Sequence, residues 1–408
     1  MNDMKTLIKK IGENTGIVPE GVLRKEGPDM DVTGSLKNAW LLIEDGRTAA
    51  FGPMETLPSG ITEVIDAEGG LILPAFCDSH THIVYAGSRD GEFLDKINGL
   101  SYEEIAARGG GILNSADLLH ATPEDELYRQ SLARVREMME KGTAAIEIKS
   151  GYGLRTEDEL KMLRVIRRIR DNVPALIRAT FLGAHAVARG MDRESYVRQV
   201  CEEMIPAVAA EGLADFVDVF CDEGFFTVED TDRILTVGKR YGLRPKIHAN
   251  ELAVSGGVQV GVRHQALSVD HLERTTDAEI EALRGSVTMP TMLPGSSFFL
   301  GLPYGRAKEF IQAGLGIALA SDYNPGSSPS GDMRFILALA CIRMRLTPVQ
   351  ALNACTLNSA YALGVSDITG SVTPGKRADL ILTVPLPSLT TLSYLHHTPF
   401  IRRVFFGG

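Results

Sequence analysis

The chain has 408 residues, 44% hydrophobic and 23% charged, with 19 prolines, a composition that excludes collagenous, coiled-coil and disordered proteins. Against 42 basic residues stand 52 acidic ones, a formal net charge of −10, so no bulk field favours nucleic acid or an anionic membrane. Any acidic ligand must therefore meet a locally placed cation.

The segment Met1 to Ile11 is too polar for a signal peptide, and no apolar run reaches the roughly 18 residues of a membrane span. Cys77, Cys201, Cys221, Cys341 and Cys355 form no CxxC pair and read as small core residues in a reducing compartment. The expected address is the cytoplasm. Short β segments are predicted at 39–43, 48–51 and 63–66, separated by turn signals such as Glu44-Asp45-Gly46 and Gly69-Gly70. From Leu71 onward short apolar strands alternate with amphipathic helices, the pattern of βαβ units. The strands are predicted at 73–77, 143–148, 177–182, 216–221, 245–249, 266–270, 286–291 and 316–321. Capping boxes are expected at Ser101 with Glu104, Thr122 with Asp125, Thr156 with Glu159 and Thr347 with Gln350, with Pro123 and Pro348 at first helical positions. Alternation over about 290 residues predicts a (β/α)8 TIM-type barrel, for which about 250 is typical. A doubly wound open sheet is the alternative, but no GxGxxG or GxxxxGK[ST] follows a strand. Beyond Leu363 the chain turns β-like again at 378–384 and 402–406, too short to fold alone. The expected organisation is α/β: a small discontinuous β-sandwich of residues 1–72 plus 363–408 beside a barrel at 73–362.

Catalytic groups of such a barrel sit at the carboxyl ends of its strands. Strand one ends in Asp78-Ser79-His80-Thr81-His82, strand three in His185, strand five in His248-Ala249-Asn250-Glu251, strand six in Asp270-His271 and strand eight in Asp322. His80 and His82, two apart on extended chain, project to one side and can ligate one metal. With His248 and Asp322 they form a nitrogen and oxygen donor set suited to Zn2+ or Fe2+, with a position left for water. Such an ion lowers the pKa of water from about 16 to about 7. Asp322 can accept the water proton, His271 can polarise a substrate oxygen, and Glu251 can carry the proton to a leaving nitrogen.

The set HTH (80–82), KIHANE (246–251), SVDH (268–271) and SD (321–322) resembles the amidohydrolase superfamily. DSHTHIVYAGSRDGEF (78–93), GLSYEEIAARGGGI (99–112), IEIKSGYGL (146–154), TFLGAHAV (180–187), DVFCDEG (218–224) and SDYNPGSSP (321–329) narrow that resemblance to its imidazolonepropionase family, enzymes of histidine degradation. The resemblance implies a metal on His80, His82, His248 and Asp322, and substrate contacts at Arg89, Tyr152, His185, Glu251, Asn324, Gly326 and Ser327. It implies hydrolysis of the cyclic amide C–N bond of 4-imidazolone-5-propanoate to N-formimino-L-glutamate by a metal-activated water, and a homodimer. Chemistry supports several of these positions. The propionate carboxylate needs a cation, and Arg89 in the first βα loop supplies one. Glycines flanking Tyr152 let the backbone approach a ligand, and the turn-rich stretch 324–329 follows Asp322 directly. Ser321 stands where the family usually has threonine, and Asn250 where aspartate is common. Lys149 is read as a structural or supporting residue rather than a bridging metal ligand. The alternative is a mononuclear deaminase of the same superfamily, to which Arg89, Tyr152 and the Asn324 loop are less suited. A catalytically inert barrel acting as a binding protein would be expected to have lost one of the four ligands, and all four are present.

Overall fold

The computed structural model describes residues 5–407 except 101–103, 105–107 and 109, so the capping box expected at Ser101 and part of the 99–112 motif lie outside the described residues. The chain opens with β1 (Lys5–Ile17), β2 (Gly34–Glu44), β3 (Arg47–Pro53), β4 (Glu63–Asp66) and β5 (Gly70–Pro74). The barrel strands follow: β6 (Phe76–Asp78), β7 (Thr143–Lys149), β8 (Leu176–Ala184), β9 (Phe216–Cys221), β10 (Arg244–Pro245) with β11 (Ile247–Ala249), β12 (Ser268–His271), β13 (Met289–Met292) and β14 (Ala318–Leu319). The chain ends with β15 (Leu380–Pro385) and β16 (Ile401–Phe405).

The first five strands and the last two join in one mixed sheet, ordered β16-β15-β5-β1-β2-β3, with β4 beside the first half of β1. It encloses its own core of Ile8, Ile11, Leu41, Ile72, Leu380 and Leu382. β1, the longest of these strands, has no counterpart in the sequence reading. A register shift between Ile8 and Ile11 interrupts the two-residue alternation on which such a prediction depends.

The second sheet runs β6-β7-β8-β9-β11-β12-β13-β14, all parallel, with β10 extending the pairing of β9. Its strands are apolar runs buried on both faces, as in β7, where every residue of TAAIEIK is buried. The first and last strands meet at their carboxyl ends. Asp322 donates its N–H to the His80 carbonyl (3.0 Å), His82 donates to that of Tyr323 (2.9 Å), and Ser321 donates through N and Oγ to the Asp78 carboxylate (3.0 and 2.5 Å). The strand expected at 73–77 is divided in two: Gly70–Pro74 belongs to the small sheet and Phe76–Asp78 begins the barrel. The division falls at Pro74, which has no N–H to continue a ladder.

The capping box at Thr347 and Gln350 forms. Those at Thr122 and Thr156 do not, because both hydroxyls find other acceptors: Leu118 O (2.7 Å) and Glu203 (2.5 Å). Boxes form instead at Thr227 with Asp230 and at Thr276 with Glu279. All five cysteines are free thiols, and no helix of the described residues is long and apolar enough to cross a membrane.

Candidate active site

His80, His82, His248 and Asp322 converge at the carboxyl end of the barrel, all fully or almost fully buried. The Nε2 atoms of His80 and His248 lie 3.2 and 3.3 Å from Nε2 of His82, and Asp322 Oδ1 is 3.6 Å from Nε2 of both His80 and His82. Behind them Asp270 Oδ2 stands 2.7 Å from Nδ1 of His80, and Asp218 Oδ2 stands 3.0 Å from Nδ1 of His248. A carboxylate at Nδ1 keeps the ring proton there and turns the Nε2 lone pair inward. Burial holds the imidazoles of His80 and His82 well below their ordinary pKa and lowers that of His248 to about 4, so these rings are neutral ligands. Tetrahedral zinc with bonds of about 2.0–2.1 Å sets its nitrogen ligands about 3.3 Å apart, the spacing these lone pairs already have. The donors fit a divalent metal. His80, His271 and Asp322 form a second, overlapping group of the same kind.

A layer of buried charge supports the histidines. Lys149 Nζ donates to Glu147 (2.6 Å) and Asp218 (2.8 Å) and lies 3.7 Å from Asp270; Lys246 Nζ donates to Glu147 and to the Ser79 carbonyl (2.9 Å). These lysines balance the carboxylates that orient the rings. Nδ1 of His82 has no partner among the described residues.

His271 occupies the opposite electrostatic setting. Its Nε2 is 3.6 Å from Glu251 Oε2 and its Nδ1 is 3.5 Å from Glu273 Oε2. Burial disfavours its cation, but Glu251, Glu273 and Asp322 outweigh burial and hold the ring well above its ordinary pKa. Burial raises Glu251 to about 7 and Asp322 to about 6. Burial thus raises both carboxyls, while the carboxylates around His271 favour its cation. Asn250, His271 and Asp322 each adopt a left-handed backbone (φ 60°, 87° and 54°), His271 as the last residue of β12 and the other two just beyond β11 and β14. Such strain in non-glycine residues gathers where side chains must be aimed.

One cavity of about 920 Å3 opens over this floor. Every contact residue named above lines it: Arg89, Tyr152, His185, Glu251, Asn324, Gly326 and Ser327. Tyr152 packs beside the stacked rings of His82 and His185, whose centroids are 5.1 Å apart, with its own centroid 6.1 and 5.4 Å from theirs. Its loop hangs on the buried Glu159 carboxylate, which accepts N–H bonds from Gly151 (3.1 Å), Gly153 (2.7 Å) and Leu154 (3.0 Å). Gly151 also accepts from Nδ1 of His185 (3.0 Å), whose ring burial drives to a pKa of about 3. Asn324 Oδ1 accepts from the N–H groups of Gly326 and Ser327, both at 2.8 Å, and tightens the loop after β14. A side chain at 326 would place its Cβ 2.2 Å from Nη1 of Arg89, so only glycine lets the guanidinium pack there.

Asp218, Glu273, Glu92 and Lys96 belong to this site and escaped the sequence reading. For Asp218 a signal existed: a carboxylate inside the apolar strand FVDVFC must have a buried partner. For the other three none did.

The Amidohydrolase family model matches residues 71–408. The imidazolonepropionase of Christiangramia forsetii is 50% identical over 99% of both chains, as is that of Flavobacterium johnsoniae. Among solved structures, Escherichia coli guanine deaminase superposes with a TM-score of 0.74 at 15% identity, over 99% of this chain and 98% of that one, a likeness of fold. Matched across its barrel by the family model and along its whole length by these relatives, the chain belongs to the amidohydrolase family, in its imidazolonepropionase branch.

Proposed function

We infer that the chain hydrolyses the cyclic amide C–N bond of 4-imidazolone-5-propanoate to N-formimino-L-glutamate, a step of histidine degradation, as its imidazolonepropionase relatives are named for. The observation that carries this reading is that one cavity holds both a metal-type histidine cluster and the Arg89 guanidinium. His80, His82, His248 and Asp322 would hold the ion, which this donor set allows to be Zn2+ or Fe2+. When bound, the ion supplies Lewis-acid activation of water and of the ring carbonyl.

The residues around it divide the remaining work. Arg89 binds the propionate, and Tyr152 and His185 flank the ring. His271 donates a hydrogen bond to the carbonyl oxygen as negative charge gathers there. Asp322 accepts the proton that water loses as its oxygen bonds to the carbonyl carbon, Glu251 in its protonated form gives a proton to the ring nitrogen as the C–N bond breaks, and transfer of the proton from Asp322 to Glu251 restores both groups for the next turnover. Asn324, Gly326 and Ser327 hold the loop that keeps Asp322 aimed.

The test is direct: metal-replete protein is given enzymatically generated imidazolone propanoate, and loss of its ultraviolet absorbance is followed. Turnover is expected. No turnover would overturn the assignment, and ammonia release from a nucleobase analogue would replace it with a deaminase.

A further inference from the structure

Arg89 brings no net charge to the cavity. Its Nε and Nη2 both donate to Glu92 Oε2 (2.8 and 2.6 Å), leaving the end of the fork, the two N–H groups of Nη1 and the second of Nη2, with Nη1 packed against Gly326. The surplus cation on this wall is Lys96, two turns along the helix Asp90–Ile97 that Arg89 caps. A lysine in a last helical turn ordinarily extends into water, where it also suits the helix dipole. Lys96 instead reaches across to the loop after β14 and donates to the Gly326 carbonyl oxygen at 3.1 Å, while its ammonium lies 5.6 Å from the Phe299 ring centroid. No carboxylate among the described residues comes within ion-pair distance of it. Burial, and then the charge of Arg89, lower its pKa, which places the two cations within each other's field. Both therefore rest on one residue, Gly326, and face the same cavity.

We propose that Lys96 is a second tail-binding residue, holding the substrate's side-chain carboxylate together with Nη1 of Arg89 and setting the preference for an anionic over a neutral tail. This deepens, and rests on, the reading of the substrate as a carboxylate-tailed imidazolone. Glu92 neutralises Arg89 and fixes its plane, accepting also from Gly111 N and Asn114 Nδ2 (both 3.1 Å), so Arg89 contributes direction. Lys96 contributes charge. An ammonium with hydrogen-bonding capacity left over is satisfied by the carboxylate oxygen that Arg89 does not take.

Calorimetric binding of 3-(imidazol-4-yl)propanoate and of its uncharged propanamide, to metal-loaded wild type, Lys96→Met and Lys96→Arg, tests the proposal. Lys96→Met is expected to weaken propanoate binding about tenfold or more, the loss of one charge-assisted hydrogen bond, and to change propanamide binding by less than about twofold. Lys96→Arg should restore most of the propanoate affinity, and in turnover KM should rise in Lys96→Met with kcat little altered. Unchanged propanoate affinity in Lys96→Met, or equal losses for both ligands, would overturn the proposal. A wild type that binds the propanoate with this preference, and loses it on Lys96→Met, yet leaves the imidazolone ring intact would overturn the reaction assigned above while the tail site stands.

Discussion

Asp270 shows how much one side chain can be asked to do. Its carboxylate sets the tautomer of His80 at 2.7 Å and lies 3.7 and 3.9 Å from Lys149 and Lys246. Asp270→Asn keeps the size and loses the charge, and is expected to weaken metal binding by about 10–100-fold. Competition with a chromophoric chelator measures this, and wild-type affinity would remove Asp270 from the ring-orienting role. At this scale the site was only partly legible in the sequence. His80 and His82 stand out because two imidazoles on alternate residues of a strand end have few bland uses. His248 and Asp322 follow once strand ends are aligned. Lys96 and Glu273 do not, because a helical lysine and a loop glutamate are ordinary surface residues until the fold turns them inward.

Glu159 carries the same lesson at the level of the element. Read as the third residue of a capping box, it serves the loop before its helix instead of Thr156, because three buried N–H groups outbid the single backbone N–H of Thr156. Glu159→Ala would orphan those donors and is expected to cost about 3 kcal/mol, measured from urea unfolding midpoints, and to lower kcat/KM by displacing Tyr152. A loss near zero would mean that water replaces the carboxylate. The barrel strands were legible because each is a short apolar run between helices. β1 was not, since its register shift scrambles the alternation, and the β5 to β6 junction was not, since two strands of different sheets read as one apolar stretch.

Across the whole molecule, His80 and His248 are flanked on their outer sides by the Asp270 and Asp218 carboxylates, and the ligand histidines are already at metal-binding spacing. Removing the ion with a chelator should therefore abolish turnover and leave the circular dichroism spectrum unchanged. The melting temperature should fall by several degrees, because an ion present at about a thousandfold over its Kd stabilises the fold by about 4 kcal/mol. Collapse of the spectrum on chelation would show that the ion, not the Asp218 and Asp270 layer, holds the histidines in place.

The seam between β6 and β14 has a consequence in time. Asp78 and Ser321, which lock it, lie 243 residues apart. At about 5–20 residues per second a ribosome needs roughly 12–50 s to travel that distance. Throughout that interval the nascent chain displays His80 and His82 without the carboxylate that completes their ring of donors. The complete donor set, with Asp322 beside the three histidines, therefore exists only in chains synthesised past the last barrel strand.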